Sequence, residues 1–247
     1  MTMQIALQLW TVRELAERDM IGTLAEVRRI GYRAVEFAGF GQASTARLRQ
    51  ALDELGLTAV SAHVPFGDLT ARRDQVIEQL QALGCRRAVL PWIPPEHRAP
   101  LDKVRWLAAI CEDIGSALAN AGIEFAYHNE DYDFLPLGDT TLWHALADNT
   151  SPQLVKLQLD AFTAQLMRAG PLELMHGYGE RITSLHICDM SNRTYVPVGA
   201  GELDWPSILA AARTTAAEWL IVEQDAPAHP IEDAATSLRN LTALLAT

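Results

Sequence analysis

Ile5-Ala6-Leu7-Gln8-Leu9-Trp10-Thr11-Val12-Arg13 is the stretch that decides the fold. Its first five residues are a short apolar run of strand length. The residues directly after that run are informative. An open, doubly wound sheet that holds a nucleotide carries a glycine-rich phosphate loop directly after its first strand. Here Trp10-Thr11-Val12-Arg13 stands in that place, and no Gly-x-x-x-x-Gly-Lys occurs elsewhere in the chain. The next segment, Met20 to Ile30, sets Ile21, Leu24, Val27 and Ile30 along one helical face and stops at Gly31. Ala34-Val35-Glu36-Phe37 then reads as a second strand.

Working outward, the same unit recurs. Strands are expected at Leu57 to Val64, Arg87 to Pro91, Ile123 to His128, Leu154 to Asp160, Ile182 to Cys188 and Trp219 to Glu223. Helices are expected at Thr45 to Leu55, Arg72 to Leu83, Leu101 to Ala121, Thr141 to Ala147, Leu172 to Tyr178, Pro206 to Arg213 and Ile231 to Leu245, with Gly56, Gly84 and Gly122 as stops. Eight alternating units imply a parallel α/β sheet. Within 247 residues, near the ~250 typical of the class, they imply a closed barrel. The expected fold is a single (β/α)8 TIM barrel, with residues 1–247 as one domain.

Composition excludes several functions. The net charge is −11, from 20 Lys and Arg against 31 Asp and Glu. The longest basic runs are pairs, such as Arg28-Arg29 and Arg72-Arg73, whereas a phosphate-backbone binder needs clustered cations. Nucleic acid and anionic membranes are therefore not expected partners. Cys85, Cys111 and Cys188 are odd in number and far apart, with neither a disulfide framework nor zinc-ribbon spacing. No apolar run approaches the ~18 residues of a membrane span. The start, Met1-Thr2-Met3-Gln4, lacks the basic and apolar regions of a signal peptide. A cytoplasmic location is the expectation; oligomeric state is not legible.

The strands of a parallel barrel are nearly all apolar, so polar groups at their carboxyl ends stand out, and barrel active sites are built there. Gln8, Glu36, His63, His128 with Glu130, Asp160, His186 and Glu223 all fall at such ends. Taken singly, each is accounted for by structural hydrogen bonding or by a solvated rim. Together they would repel and be desolvated at one mouth unless something compensates, and a divalent cation would do so. Imidazole and carboxylate without thiolate suit Mn, Mg, Co or Zn, with Mn the first expectation. Trp10, Phe66 and Trp92 follow strands one, three and four and either pack or stack on a sugar ring.

Several segments carry a resemblance: Leu7-Gln8-Leu9-Trp10-Thr11-Val12-Arg13, Gly31 to Gly39, Ser61-Ala62-His63, Tyr127 to Phe134, His186-Ile187-Cys188-Asp189-Met190, Val198 to Trp205, and Ile221-Val222-Glu223-Gln224-Asp225. In this order they resemble the xylose isomerase-like sugar phosphate isomerase/epimerase superfamily, which includes ketose 3-epimerases and inosose dehydratases. The resemblance implies a metal held by strands five to eight, with Asp160, His186 and Glu223 as the last three ligands. At strand five, where epimerases carry glutamate, this chain has His128 and, two residues on, Glu130. Both lie on one face of a strand, so either is a candidate ligand.

The implied chemistry is metal-dependent isomerisation or epimerisation of a keto-sugar or polyol derivative through an enediolate, with Glu223 as base and Glu130 as the opposing acid/base. His63, Glu36, Trp10 and Asp225 are the expected substrate contacts, and Asp189 and Asp225 are placed to orient ligands. A dehydratase or lyase of the same superfamily is the alternative, followed by a non-catalytic sugar binder. No phosphate cradle is visible, which favours a free sugar over a sugar phosphate. A DNA-cleaving relative would need more histidines and a basic surface.

Overall fold

The computed structural model describes residues 3–246. Eight parallel strands close into a barrel: β1 (Gln4–Gln8), β2 (Ala34–Phe37), β3 (Thr58–His63), β4 (Arg87–Leu90), β5 (Glu124–His128), β6 (Lys156–Asp160), β7 (Ile182–Ile187) and β8 (Trp219–Val222). Each pairs with its sequence neighbours, and β8 returns to β1. Among the described residues, no helix is long and apolar enough to cross a membrane.

The apolar core is divided between two places. The larger part lies between the strands and the surrounding helices and includes Leu7, Val35, Leu157 and Leu185. A small cluster of Ala6, Ala34, Val60 and Ile221 fills the barrel's interior. Above it, toward the carboxyl ends, the inward positions turn polar. Gln8 is in register with Glu36, Glu36 with Ser61, Gln158 with Ser184, and Asp160 with His186. The register shifts at Val35/Glu36 and at Leu157/Gln158, so both irregularities enter this polar layer.

Chain stops fall where the sequence places them. The helices Thr45–Leu55 and Arg73–Leu83 end in left-handed Gly56 (φ 61°) and Gly84 (φ 68°), a backbone conformation that costs glycine nothing sterically. Three short helices and two antiparallel pairs lie outside the sequence-based expectation: Arg13–Arg18, Phe66–Ala71 and Ala161–Leu166, the pair Pro136–Leu137 and Thr140–Thr141, and the hairpin of Asp189–Ser191 with Thr194–Val196.

Candidate metal centre

The strands bring four of the sequence-derived ligands to one point. His128 ends β5, Asp160 ends β6, His186 is the penultimate residue of β7, and Glu223 follows β8. One ligand atom from each lies within 4.8 Å of all the others. Glu130 is not a member of that set. The donor chemistry, two imidazoles and two carboxylates, suits a borderline or hard divalent ion. His128 Nδ1 is buried without a hydrogen-bond partner, as a nitrogen awaiting a Lewis acid would be. These residues fit a cation.

The charges respond to this crowding. Burial pushes His186 down, but Glu223 and Glu36 on its two sides outweigh it and hold the imidazole well above its usual range. Its Nδ1 lies 2.7 Å from Glu223 Oε2 and its Nε2 2.5 Å from Glu36 Oε1. Burial, with His186 and His63 nearby, keeps His128 well below the usual value. Burial and then Glu223 raise Asp160 to about 6. Glu130 is pushed up to about 8 by burial, then by Glu223 and Asp160.

The centre opens into a cavity of about 550 Å³, within the ~300–1,000 Å³ of small-molecule sites. Among the described residues its lining includes five carboxylates, Glu130, Asp131, Asp160, Glu223 and Asp225, and neither Lys nor Arg. Trp10, Trp92, His63 and Tyr195 form walls. Trp10 Nε1 donates to Asp225 Oδ1 at 2.8 Å, and the Arg13 guanidinium lies over the Trp10 ring at 4.5 Å. The loops after β1 and β8 are thereby tied together at the rim.

Two expectations are corrected. Glu36 does not line the cavity; it is fully buried beneath it, because its inward strand position is covered by the histidines above. Asp189 orients no ligand of the cluster. Its buried carboxylate instead accepts from Met190 N (2.8 Å), Gly199 N (2.9 Å), Leu203 N (3.1 Å) and Trp205 Nε1 (2.6 Å), tying up the long loop after β7. Of the two roles open to Phe66, it takes the packing one, against His97 at 5.4 Å between ring centroids.

Tyr195 escapes a reading of the sequence. It reaches the cavity from the hairpin and stacks on Phe162, 3.8 Å between centroids and 20° between planes. Two three-residue strands carry no periodicity to betray them. Gln158 is visible in the sequence only as the polar phase of an alternating strand.

A closed parallel barrel with an imidazole–carboxylate cluster at its carboxyl mouth defines a class, the (β/α)8 barrels built around a candidate metal centre. Within that class the chain belongs to the xylose isomerase-like TIM barrel family, whose sequence pattern matches residues 24–244. An inosose dehydratase from Geobacillus kaustophilus (strain HTA426) is 25% identical over 74% of this chain, and the match spans 66% of that relative's own length, just under two thirds. Two solved structures share the fold. A sugar phosphate isomerase/epimerase from Parabacteroides distasonis ATCC 8503 has a TM-score of 0.82 at 20% identity, covering 98% of this chain and 94% of that one. An L-ribulose 3-epimerase has a TM-score of 0.74 at 17% identity, covering 99% and 95%.

Proposed function

We propose that this protein is a divalent-metal-dependent isomerase or epimerase acting on an unphosphorylated keto-sugar or polyol derivative. The observation that carries this reading is the convergence of His128, Asp160, His186 and Glu223 within 4.8 Å at the base of a cavity walled by aromatic and carboxylate side chains. These four residues would hold the ion, Mn first, with Mg, Co or Zn as alternatives. A bound divalent ion supplies Lewis acidity toward substrate oxygens.

The chain's own groups then move the proton. Glu223 is the base candidate, its Oε2 lying 2.7 Å from His186 Nδ1. Glu130 stands outside the ligand set but close enough to be raised by Glu223, which leaves its carboxyl free to give or take a proton from a second direction. Trp10 and Trp92 offer flat apolar faces to a ring, and His63 and Asp225 offer polar contacts to hydroxyls. A cavity whose lining, among the described residues, holds neither Lys nor Arg offers no charge complement to a phosphate, which supports a free sugar.

Dehydration of an inosose is the second reading, favoured by the inosose dehydratase relative. There Glu130 would protonate a departing hydroxyl. The same set of four ligands weighs against a non-catalytic sugar binder.

Elemental analysis of purified wild type beside His186→Ala tests the centre: about one divalent ion per chain in the wild type, lost in the variant, is expected. Free ketoses and an inosose are then assayed for epimer and dehydration product. Glu223→Gln is expected to abolish turnover with the fold intact; near-wild-type activity would remove Glu223 from the mechanism.

A further inference from the structure

Beneath the centre, one carboxylate gathers the polar layer. Glu36 on β2 is fully buried. Its Oε1 accepts from Gln8 Nε2 at 2.7 Å and His186 Nε2 at 2.5 Å, with His63 Nε2 at 3.1 Å. Its Oε2 accepts from Gln158 Nε2 at 2.7 Å and from Ser61 Oγ. An ionised carboxylate only accepts, so each of these groups must turn a proton toward it.

That requirement sets two imidazoles. His186 presents Nε2–H to Glu36, so Nδ1, the nitrogen beside Glu223, is the one that would give up its proton to take an ion. The amide of Gln158 must point its Nε2 at Glu36 and at Ser184 Oγ, 3.1 Å away. Its oxygen therefore faces His63 Nε2 at 2.8 Å. An amide oxygen also only accepts, so His63 carries its proton on Nε2 as well, and its Nδ1 remains an acceptor in a ring that lines the cavity.

We propose that Glu36 is the positioning residue of this centre: a single buried carboxylate that fixes the tautomers of two histidines, His186 directly and His63 both directly and through the Gln158 amide. Its effect on ion binding rests on the metal-centre reading; its effect on the His63 tautomer does not. The arrangement makes Glu36 decisive for the site without touching ion or substrate.

Two measurements on the full chain test this. Manganese affinity is read by electron paramagnetic resonance of the free ion for wild type, Glu36→Gln and Glu36→Asp. Loss of an outer partner of a metal-bound histidine weakens affinity about 10- to 100-fold; that is expected for Glu36→Gln at unchanged circular dichroism, with partial recovery in Glu36→Asp. Nitrogen-15 spectra of the ring nitrogens give the His63 tautomer in the metal-free protein, at a pH where that ring is neutral. Nε2–H is expected in the wild type and a mixture in Glu36→Gln.

Manganese affinity within twofold of wild type in Glu36→Gln, or Nδ1–H at His63 in the wild type, overturns the proposal. If Glu36→Gln does not fold, the wild-type spectrum alone decides in the same two directions. If wild type takes up no manganese, the metal-centre reading fails, and the ring spectrum still decides the role of Glu36 in fixing His63.

Discussion

At the scale of single residues, a buried carboxylate next to the centre makes stability depend on pH. Asp133 is fully buried and accepts from Tyr127 Oη and Glu130 N. Burial nevertheless pushes its carboxyl up to about 7 from the ordinary 3.8. The folded state therefore binds this proton more tightly than the unfolded chain does. The resulting stability is fully present below about pH 4 and is lost as pH rises through about 7. At 1.4 kcal/mol per unit, this is on the order of 4 kcal/mol. Asp133→Asn keeps an acceptor for Glu130 N and cannot ionise. Urea unfolding between pH 4 and 7 is expected to show a flatter loss of stability in this variant; an unchanged slope would mean that Asp133 does not carry it.

Elements transmit these demands to the site, and here the sequence is unevenly legible. The strands and long helices fall within about two residues of their expected bounds, because period-2 runs, helical faces and terminal glycines are all local signals. Three candidate ligands, Asp160, His186 and Glu223, are legible because polarity at the end of an apolar strand is conspicuous, whereas the choice between His128 and Glu130 needs the distances between strands. What escapes depends on tertiary partners: the burial of Glu36 requires the histidines of other strands, and the hairpin of Tyr195 requires the knot at Asp189. Asp189→Ala would remove the shared acceptor of four donors, of which Trp205 Nε1 is buried, and orphaning that buried donor costs about 1–3 kcal/mol. Faster amide exchange across residues 189–205 is the expected result, with the barrel strands unaffected; uniform exchange would refute the local knot. Helix Leu101–Asn120 illustrates the same lesson in packing. A Cβ at Gly115 would stand 2.3 Å from Leu154 O, so the helix rests on backbone just before β6. Gly115→Ala gains about 1 kcal/mol of helix propensity but is expected to lower the melting temperature, because that contact is rigid.

Over the whole molecule, the barrel converges more negative charge on its mouth than it neutralises. Five carboxylates line the cavity of a chain whose net charge is −11, and the cations beside its walls, Arg13 at 4.0 Å from Asp225 and Arg98 over the Trp92 ring, are engaged there. Residues that follow or end strands β5, β6 and β8 thus meet at Glu130, Asp160 and Glu223, where burial first and mutual repulsion second raise Glu130 and Asp160. A divalent ion at the cluster would relieve this repulsion and join elements from four strands that lie far apart in sequence. Binding to the folded state alone stabilises by RT ln(1 + [L]/Kd), about 2.7 kcal/mol at a hundredfold excess over Kd. For a chain of this size, each kcal/mol raises the melting temperature by roughly 2–4 °C. Adding manganese to chelator-treated wild type is therefore expected to raise it by about 5–10 °C, and His186→Ala is expected to abolish the increment. Differential scanning calorimetry decides the matter: equal melting temperatures with and without Mn, Mg, Co or Zn would leave the mouth's charge uncompensated and the metal centre unsupported.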